Sequence, residues 1–489
     1  MEKNSLKEQA PMDRECRTCN RRRIHCDGTL PTCLKCAKKG LQCPGYERKL
    51  RWANGVAVRG HLRGRQLPVS KAGDAGAAQP EEAVQEPERR KRQRPLVTDH
   101  VFDEILGQEP SQFLKYYDKN LAGLMVWMDS EQNLYRTQVL PRAMDTLGLR
   151  YAIMAISSQH GSEEFSKEGR EFHQTARDAC LALVQAQLKE MNGRVGDGFE
   201  LATTDDIEDA EWMLASILML ACYEMSRSQI EVAEGHRLAA RRLVQIFQGH
   251  PAAAKRQTFA FLRNQLAIYD VLVCTTSFNV ADIEGTNLPP TEGSDGLFAS
   301  YLRLIHEITL LSRKPVASID NQGTTSSPIM SASDIRLKFN QARGATLIAS
   351  GKISSATESA QRDFIRLVDI YHYTAILYSY RCLGYDSYES IDRASTLTKL
   401  FEQIDSLEDM NTCIQNLPWA FFIAGVESHG DTTRQQKVKL HFDNVLKVTG
   451  FQHYTVVFNF LTTFWAGHDT DWRPLAESWQ RGGVRILLV

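Results

Sequence analysis

Residues 16 to 43 read CRTCNRRRIHCDGTLPTCLKCAKKGLQC and contain six of the eleven cysteines in the 489-residue chain. The spacing is C-x2-C-x6-C, a six-residue loop, and then C-x2-C-x6-C again, so both halves have the same internal spacing. A C-x2-C pair at a turn that enters a helix directs two thiolates to one metal, and a third arrives from the far end of the helix. Asp27, Gly28 and Pro31 supply a turn between the halves.

This spacing predicts a centre that holds two zinc ions. Three thiolates cannot complete one tetrahedral zinc site, but two shared sulfurs give each of two zincs four ligands. The predicted ligands are Cys16, Cys19, Cys26, Cys33, Cys36 and Cys43.

Other cysteine-rich modules fit the segment less well. A single zinc on the two C-x2-C pairs leaves Cys26 and Cys43 without a role, and a RING-type module needs about eight ligands. A disulfide framework belongs to secreted proteins, and the first twelve residues contain no apolar run of the kind that directs secretion. A metal-buffering protein would not need the rest of the chain.

Charge is distributed unevenly along the chain. Residues 1 to 95 contain 22 Lys and Arg against 11 Asp and Glu, and the remaining residues contain 36 against 48. Because only residues 1 to 95 carry a positive net charge, nucleic-acid binding is expected from this part of the chain alone. No apolar stretch is long enough to span a bilayer, so we expect no membrane association.

The rest of the chain predicts a mainly α fold. Apolar residues recur at helical spacing from about Thr98 onward, as in the stripe of Val232, His236, Leu243 and Phe247, and alternating strand patterns are scarce. Thr203 followed by several carboxylates predicts a capped helix start, and the apolar helix after it is expected to be central. We expect a dozen or more helices. The predicted domains are residues 14–46, a small metal-organised module with two short helices; 47–95, a basic flexible linker; and 96–489, a large all-α domain.

The cysteine segment resembles the binuclear zinc-cluster (Zn2Cys6) family of fungal transcription factors. All six cysteines match, as do the Arg-rich first helix, Cys26-Asp27 and the proline in the loop. The segments YYDKNLAGLMVWMDSEQNLYR, PWAFFIAGVES and RGGVRILLV resemble the fungal-specific transcription-factor domain that accompanies such clusters. The resemblance implies two zinc ions bridged by Cys16 and Cys33, and a helical regulatory domain that responds to an effector.

The resemblance also implies how the module meets double-stranded DNA. The helix from Cys19 to Cys26 would enter the major groove over CGG-like triplets, with Arg22 and Arg23 facing bases. Asn20 stands where the family usually has Arg or Lys, and His25 stands where a phosphate-contacting Lys is usual. The remaining cations are expected to meet phosphates, and they are Arg21, Lys35, Lys38 and Lys39.

The run RRKRQR predicts a nuclear localisation signal at Arg89, Arg90, Lys91, Arg92 and Arg94, although a solvated linker would have the same composition. We therefore expect a nuclear, sequence-specific regulator of RNA polymerase II transcription that works with transcription machinery or co-regulators.

The linker has no heptads, which leaves a monomer and a homodimer through the helical domain both open. The first alternative is a small-molecule sensor whose cluster binds protein rather than DNA. An enzyme is disfavoured because no HExxH, GxSxG or dinucleotide motif occurs.

Overall fold

A computed structural model of the protein describes residues 16, 18–19, 22, 24–27, 29, 33–41, 43, 110–197, 201, 203–247, 249–289, 296–314, 330–351, 357–385 and 390–489. The chain divides into two units, Met1–Gln93 and Arg94–Val489. Within the described ranges there are α-helices, a few 3-10 and π-helical turns, and no β-strand. The predicted mainly α fold is therefore confirmed. The linker predicted at residues 47–95 lies outside the described residues.

The described part of the first unit contains the helix α1 at Leu34–Ala37. It is only four residues long, so it cannot be stable by itself in water and depends on the cysteines around it. Thr18 and Cys19 are also helical, and they open the first half of the cysteine segment.

The second unit begins with a series of helices that lead to the middle of the chain. They are α2 (Pro110–Tyr116), α3 (Leu140–Asp145), α4 (Leu147–His160), α5 (Lys167–Gly196), α6 (Thr204–Ser226), α7 (Ile230–Phe247), α8 (Pro251–Ala254), α9 (Gln257–Cys274) and α10 (Val280–Glu284). Two π-helical turns, Tyr117–Leu121 and Tyr135–Val139, and a 3-10 turn at Ala122–Met125 lie between α2 and α3.

A second series of helices completes the unit. It consists of α11 (Ala299–Arg313), α12 (Ala332–Ser350), α13 (Glu358–Leu383), α14 (Ser390–Asp405), α15 (Pro418–Val426), α16 (Thr432–Thr449), α17 (Tyr454–Ala466) and α18 (Arg473–Arg481). Short 3-10 turns at Met410–Thr412 and Ile414–Asn416 precede α15.

Helix α6 confirms the predicted capped start. The Thr203 hydroxyl accepts from the Asp206 N–H at 3.2 Å, and Asp206 Oδ2 accepts from the Thr203 N–H at 3.0 Å, which is a reciprocal capping box. Nearly every residue of α6 is buried, so the helix is central, as its sequence predicts. None of the described helices is both long enough and apolar enough to cross a membrane.

Helix α7 confirms the predicted helical stripe with one exception. His236, Leu243 and Phe247 are buried, but Val232 is 37% exposed. The buried face is completed by Arg237, which the apolar pattern did not predict because an arginine reads as a surface residue.

The second unit contains two apolar cores. The first core includes Phe113, Ile153, Met213, Leu243 and Leu262 and is built by helices α2 to α9. The second core includes Phe298, Leu367, Trp419, Phe442 and Phe460 and is built mainly by helices α11 to α18.

Helix α9 and the segment after α18 join the two cores. On α9, Tyr269 packs in the first core and Leu272 in the second. After α18, Leu487 packs in the first core and Leu488 in the second. These two segments therefore tie the helices into one unit.

A buried network of charges fixes α7 against α9 and α10, and we call it the arginine network: Arg237, Arg241, Glu234, Asp270 and Asp282. Arg237 is 1% exposed, and its guanidinium donates to Glu234 Oε1 at 2.9 Å, to Asp270 Oδ1 at 2.6 Å and to Asp282 Oδ1 at 2.9 Å. Arg241 donates to Asp270 Oδ1 at 2.7 Å. Every buried carboxylate of the network is thus paired, which offsets the cost of removing it from water.

Candidate metal centre

The six cysteine sulfurs of the first unit converge into two groups of four. One group is Cys16, Cys19, Cys26 and Cys33, and the other is Cys16, Cys33, Cys36 and Cys43. Within each group all four sulfurs lie within 4.8 Å of one another. Cys16 and Cys33 belong to both groups, and these are the two residues for which the family resemblance implies bridging.

The sulfur separations fit a zinc–thiolate centre. The Sγ atoms of Cys16 and Cys33 are 3.6 Å apart, and those of Cys16 and Cys36 are 3.7 Å apart. Four thiolates placed tetrahedrally at about 2.3 Å from zinc lie about 3.8 Å from one another. A disulfide bond is only about 2.05 Å long, and none of the six cysteines forms one. The donor set therefore fits zinc and does not form a disulfide framework.

The thiols are buried, which bears on how a metal binds. Cys16, Cys19, Cys33 and Cys36 are all 0% exposed. Burial raises the pKa of the Cys16, Cys19 and Cys36 thiols to about 12. Each thiol that binds zinc must release its proton, so metal binding to these residues is coupled to proton release.

The two halves of the segment have the same backbone geometry, offset by 17 residues. The Cys19 N–H donates to Cys16 Sγ at 3.4 Å, and the Cys36 N–H donates to Cys33 Sγ at 3.3 Å. Each half thus fixes the first sulfur of its pair with the backbone of the second. This repeat is the structural counterpart of the repeated spacing in the sequence.

Each helical turn ends with the same hydrogen bond. The Ile24 N–H donates to the Cys19 carbonyl at 3.2 Å, and the Leu41 N–H donates to the Cys36 carbonyl at 3.0 Å. In the second half Gly40 has a φ of +64°, the left-handed conformation that closes a helix with this bond. The chain then reverses and returns the third cysteine, Cys26 or Cys43, to the other sulfurs.

The predicted extent of the first helix is wrong at its C-terminal end. The family resemblance implied a helix from Cys19 to Cys26, but residues 24 to 27 are not helical. The reason is the closing bond of Ile24, after which the backbone must leave the helix to bring the Cys26 sulfur into its group of four.

Asp27 has a role that the sequence analysis did not find. Its Oδ1 accepts from the Leu34 N–H at 2.9 Å, and its Oδ2 accepts from the Lys35 N–H at 3.0 Å. These donors are the first two N–H groups of α1, so Asp27 in the first half caps the helix of the second half. The Thr29 hydroxyl, followed by the backbone N–H groups, lowers the pKa of Asp27 well below its usual value. From the sequence, Asp27 next to Gly28 predicted only a turn. A residue that caps a helix starting seven residues later leaves no local pattern in the sequence.

The described cations of the segment lie at its surface. The exposed side chains are Arg22, His25, Lys35, Lys38 and Lys39. Lys35 also donates from Nζ to the His25 carbonyl at 2.6 Å, which connects the two halves. The predicted DNA contacts Arg21 and Arg23, and the whole predicted localisation signal, lie outside the described residues.

Two family models match the chain. A model described as the fungal Zn(2)-Cys(6) binuclear cluster domain matches residues 14–53. A model described as the fungal specific transcription factor domain matches residues 112–488, which is more than half of the chain. Both resemblances found in the sequence are thereby confirmed, and the cofactor of the first unit is a pair of zinc ions.

Two curated proteins are similar to this chain over short stretches. Acriflavine sensitivity control protein acr-2 of Neurospora crassa is 43% identical over 51 residues, which cover 10% of this chain and 9% of that protein. Arginine metabolism regulation protein II of Saccharomyces cerevisiae is 29% identical over 97 residues, which cover 19% of this chain and 11% of that protein. The matched region thus spans only about a tenth of each relative. No solved structure matches the chain. The matching families are those of transcription factors and not of enzymes.

Proposed function

Since the chain belongs to the fungal specific transcription factor family and is a fungal transcriptional regulator, we propose that it regulates RNA polymerase II transcription in the nucleus by reading CGG-like triplets of DNA. The observation that carries this proposal is the pair of four-sulfur groups that share Cys16 and Cys33 beneath exposed cations. The proposed domains are residues 14–46 for DNA binding, 47–95 as a linker and 96–489 for regulation.

The proposed zinc ligands are the six clustered cysteines, with Cys16 and Cys33 bridging. In the described part of this module the buried side chains are those of cysteines, so zinc supplies the rigidity that a larger apolar core would otherwise give. We expect about two zincs per chain by metal analysis of the full-length protein. Cys16→Ser is expected to lose both, since a bridging thiolate serves both metals. Cys180→Ser, a control at a buried cysteine of the second unit, is expected to keep both. One zinc in the wild type would contradict the shared-sulfur centre.

The proposed base-reading residues are Arg22 and Arg23, because a guanidinium can donate two hydrogen bonds to guanine O6 and N7. Arg23→Ala is expected to cost roughly 1–3 kcal/mol on the specific site and to relax discrimination at one base pair. Arg23→Lys is expected to keep more affinity but lose part of the preference, since Lys is a point charge. Titration of specific and scrambled duplexes measures the affinity and the sequence preference of each variant. Equal losses on the two duplexes would show that Arg23 does not read a base.

The proposed phosphate contacts are Arg21, His25, Lys35, Lys38 and Lys39. Removing Lys38 or Lys39 is expected to weaken all sequences about equally and to flatten the salt dependence by about 0.9 of a unit of slope per lost contact. His25→Lys is expected to steepen it, because a permanent charge is added. An unchanged slope for Lys38→Ala and Lys39→Ala would show that these two lysines do not contact the DNA phosphates.

Selection from random oligonucleotides tests sequence specificity as a whole, and enrichment of no sequence would favour a protein-binding cluster instead.

The proposed nuclear localisation signal is Arg89, Arg90, Lys91, Arg92 and Arg94. Replacing these five residues with Ala is expected to reduce nuclear fluorescence of the tagged protein, because importins recognise clustered cations. Unchanged import would show that these five residues are only part of a linker and do not act as a localisation signal.

The proposed partners of the helical domain are transcription machinery or co-regulators and a second copy of the chain. Sedimentation velocity of the full-length protein distinguishes a dimer from a monomer.

A further inference from the structure

A cavity of about 110 Å³ lies at the seam between the first and second cores. Tyr135 and Tyr269 line it from the first core, and Trp127 and Tyr371 line it from the second. Cys222 also lines it and packs against both cores. A molecule in this cavity would contact both halves of the helical unit at once.

Two residues that line the cavity each carry a buried polar atom without a hydrogen-bond partner among the described residues. Trp127 is 6% exposed, and its buried indole Nε1 has no partner among the described residues. Gln415 is anchored by its Nε2, which donates to the Val126 carbonyl at 2.9 Å, while its buried Oε1 has no partner in that part of the chain. An unsatisfied buried polar group costs about 1–3 kcal/mol. A ligand that accepts from the indole and donates to the amide oxygen would remove that cost.

Trp127 is held in place by its neighbours and not by its N–H. Its ring stacks on Phe298 with centroids 4.2 Å apart and meets Tyr371 edge-on at 5.0 Å. The indole position is therefore fixed before any ligand binds. Preorganisation of this kind reduces the entropy that binding must overcome.

The charge of the cavity walls restricts the ligand. Among the described residues that line the cavity there is no Asp, Glu, Lys, Arg or His. Burial raises the pKa of the Cys222 thiol to about 12, so this side chain is also neutral at physiological pH. A charged ligand would lose its hydration without gaining a counter-ion from a side chain of the cavity walls.

We propose that this cavity is a binding site for a small, flat, uncharged ring that carries one hydrogen-bond acceptor and one donor. A dry cavity of about 150 Å³ holds benzene, so this smaller volume suits a ring of about five or six non-hydrogen atoms. The ligand stabilises the packing of the two cores because it binds only where they meet. The site goes beyond the proposed function and needs no DNA for its operation.

The test is a titration of the full-length protein with three probes: pyrazole, benzene and acetate. We expect pyrazole, a neutral ring with one N–H donor and one nitrogen acceptor, to bind in the millimolar range or tighter and to raise the Tm, because a ligand that binds only the folded state stabilises it. Benzene is expected to bind more weakly, since it leaves both polar atoms unpaired, and acetate not at all, since its charge finds no cationic side chain. Failure of pyrazole to bind at millimolar concentration, or equal binding of benzene and pyrazole, would overturn the proposal.

Two tryptophan variants locate the site. Trp127→Phe removes the indole N–H and keeps an aromatic ring, and it is expected to weaken pyrazole binding roughly two- to tenfold while leaving benzene binding unchanged. Trp419→Phe is the matched control, because Trp419 is 0% exposed in the second core and its Nε1 also lacks a partner, but it does not line the cavity. Equal weakening by both variants would place the ligand elsewhere. The wild-type titrations remain decisive if a variant does not fold. Since no DNA is present, their outcome is independent of whether the cluster reads DNA.

Discussion

Replacing Arg237 with Met tests how much the arginine network contributes to the helical unit. Burial alone would lower the pKa of Arg237, but the charges of Glu234, Asp270 and Asp282 raise it above its usual value, so the residue is a cation in the folded chain. Met is unbranched and flexible like the aliphatic part of Arg, but it is shorter and has no charge. After this change Glu234 keeps an ion pair with Arg485, whose Nη2 lies 3.1 Å from Glu234 Oε2. Asp270 still accepts a hydrogen bond from Arg241.

The expected magnitude follows from the burial of the network. Removing one partner of a buried ion pair costs roughly 3–5 kcal/mol. Here the remaining carboxylates stay buried with only part of their compensation. The unfolding entropy is about 2.1 cal/mol/K per residue, which gives about 0.8 kcal/mol/K for the roughly 380 residues from Pro110 onward. Arg237→Met is therefore expected to lower the Tm by roughly 4–6 °C, measured by far-UV circular dichroism.

Arg362→Met is the matched control. Arg362 donates to both Glu408 oxygens at 2.7 and 2.9 Å, so its hydrogen bonds are as short as those of Arg237, but its side chain is 50% exposed. Solvent screens such a pair, and we expect the Tm to change by less than about 1 °C. Equal Tm losses for the two variants, or an unchanged Tm for Arg237→Met, would refute the reasoning that burial sets the size of the effect.

Three further predictions concern pH, the cluster and the metal. Burial lowers the pKa of His453 to about 4, whereas its pKa in the unfolded chain is about 6.5. The unfolded chain therefore takes up this proton first as the pH falls. The stability that the neutral residue contributes is fully present above pH 6.5, and about 3 kcal/mol of it is lost as the pH falls to about 4. His453→Gln is expected to reduce this pH dependence of the Tm, and His468→Gln, at an exposed position, is expected to retain it. Asp27→Ala is expected to lower zinc affinity at least roughly tenfold in chelator competition, with a smaller loss for Asp27→Asn; an unchanged affinity would show that the cap does not support the ligands. Chelation is expected to abolish DNA binding while the circular dichroism of the helical unit persists, and a collapse of that signal would mean that the metal also stabilises the second unit.

The sequence predicted those elements whose signals are local. The capping box at Thr203 is confirmed, because its partner Asp206 lies only three residues away. His236, Leu243 and Phe247 of the predicted stripe are buried on α7, since 3.6-residue periodicity is a property of one helix. Arg237 and Asp27 were not found in this way. Their partners lie in other segments, and nothing in the neighbouring residues indicates them.

By itself, the amino-acid sequence determined the metal chemistry and the family. Six thiols in two identical triplets have few arrangements that give zinc four ligands, so the spacing alone carries the answer. Only the tertiary structure decided where the first helix ends, that Asp27 caps the helix of the other half, and that Trp127 and Gln415 share a cavity. Each of these depends on the approach of residues distant along the chain. That approach is set by packing over the whole unit, and hydrophobic patterns specify which side chains are buried but not which ones meet.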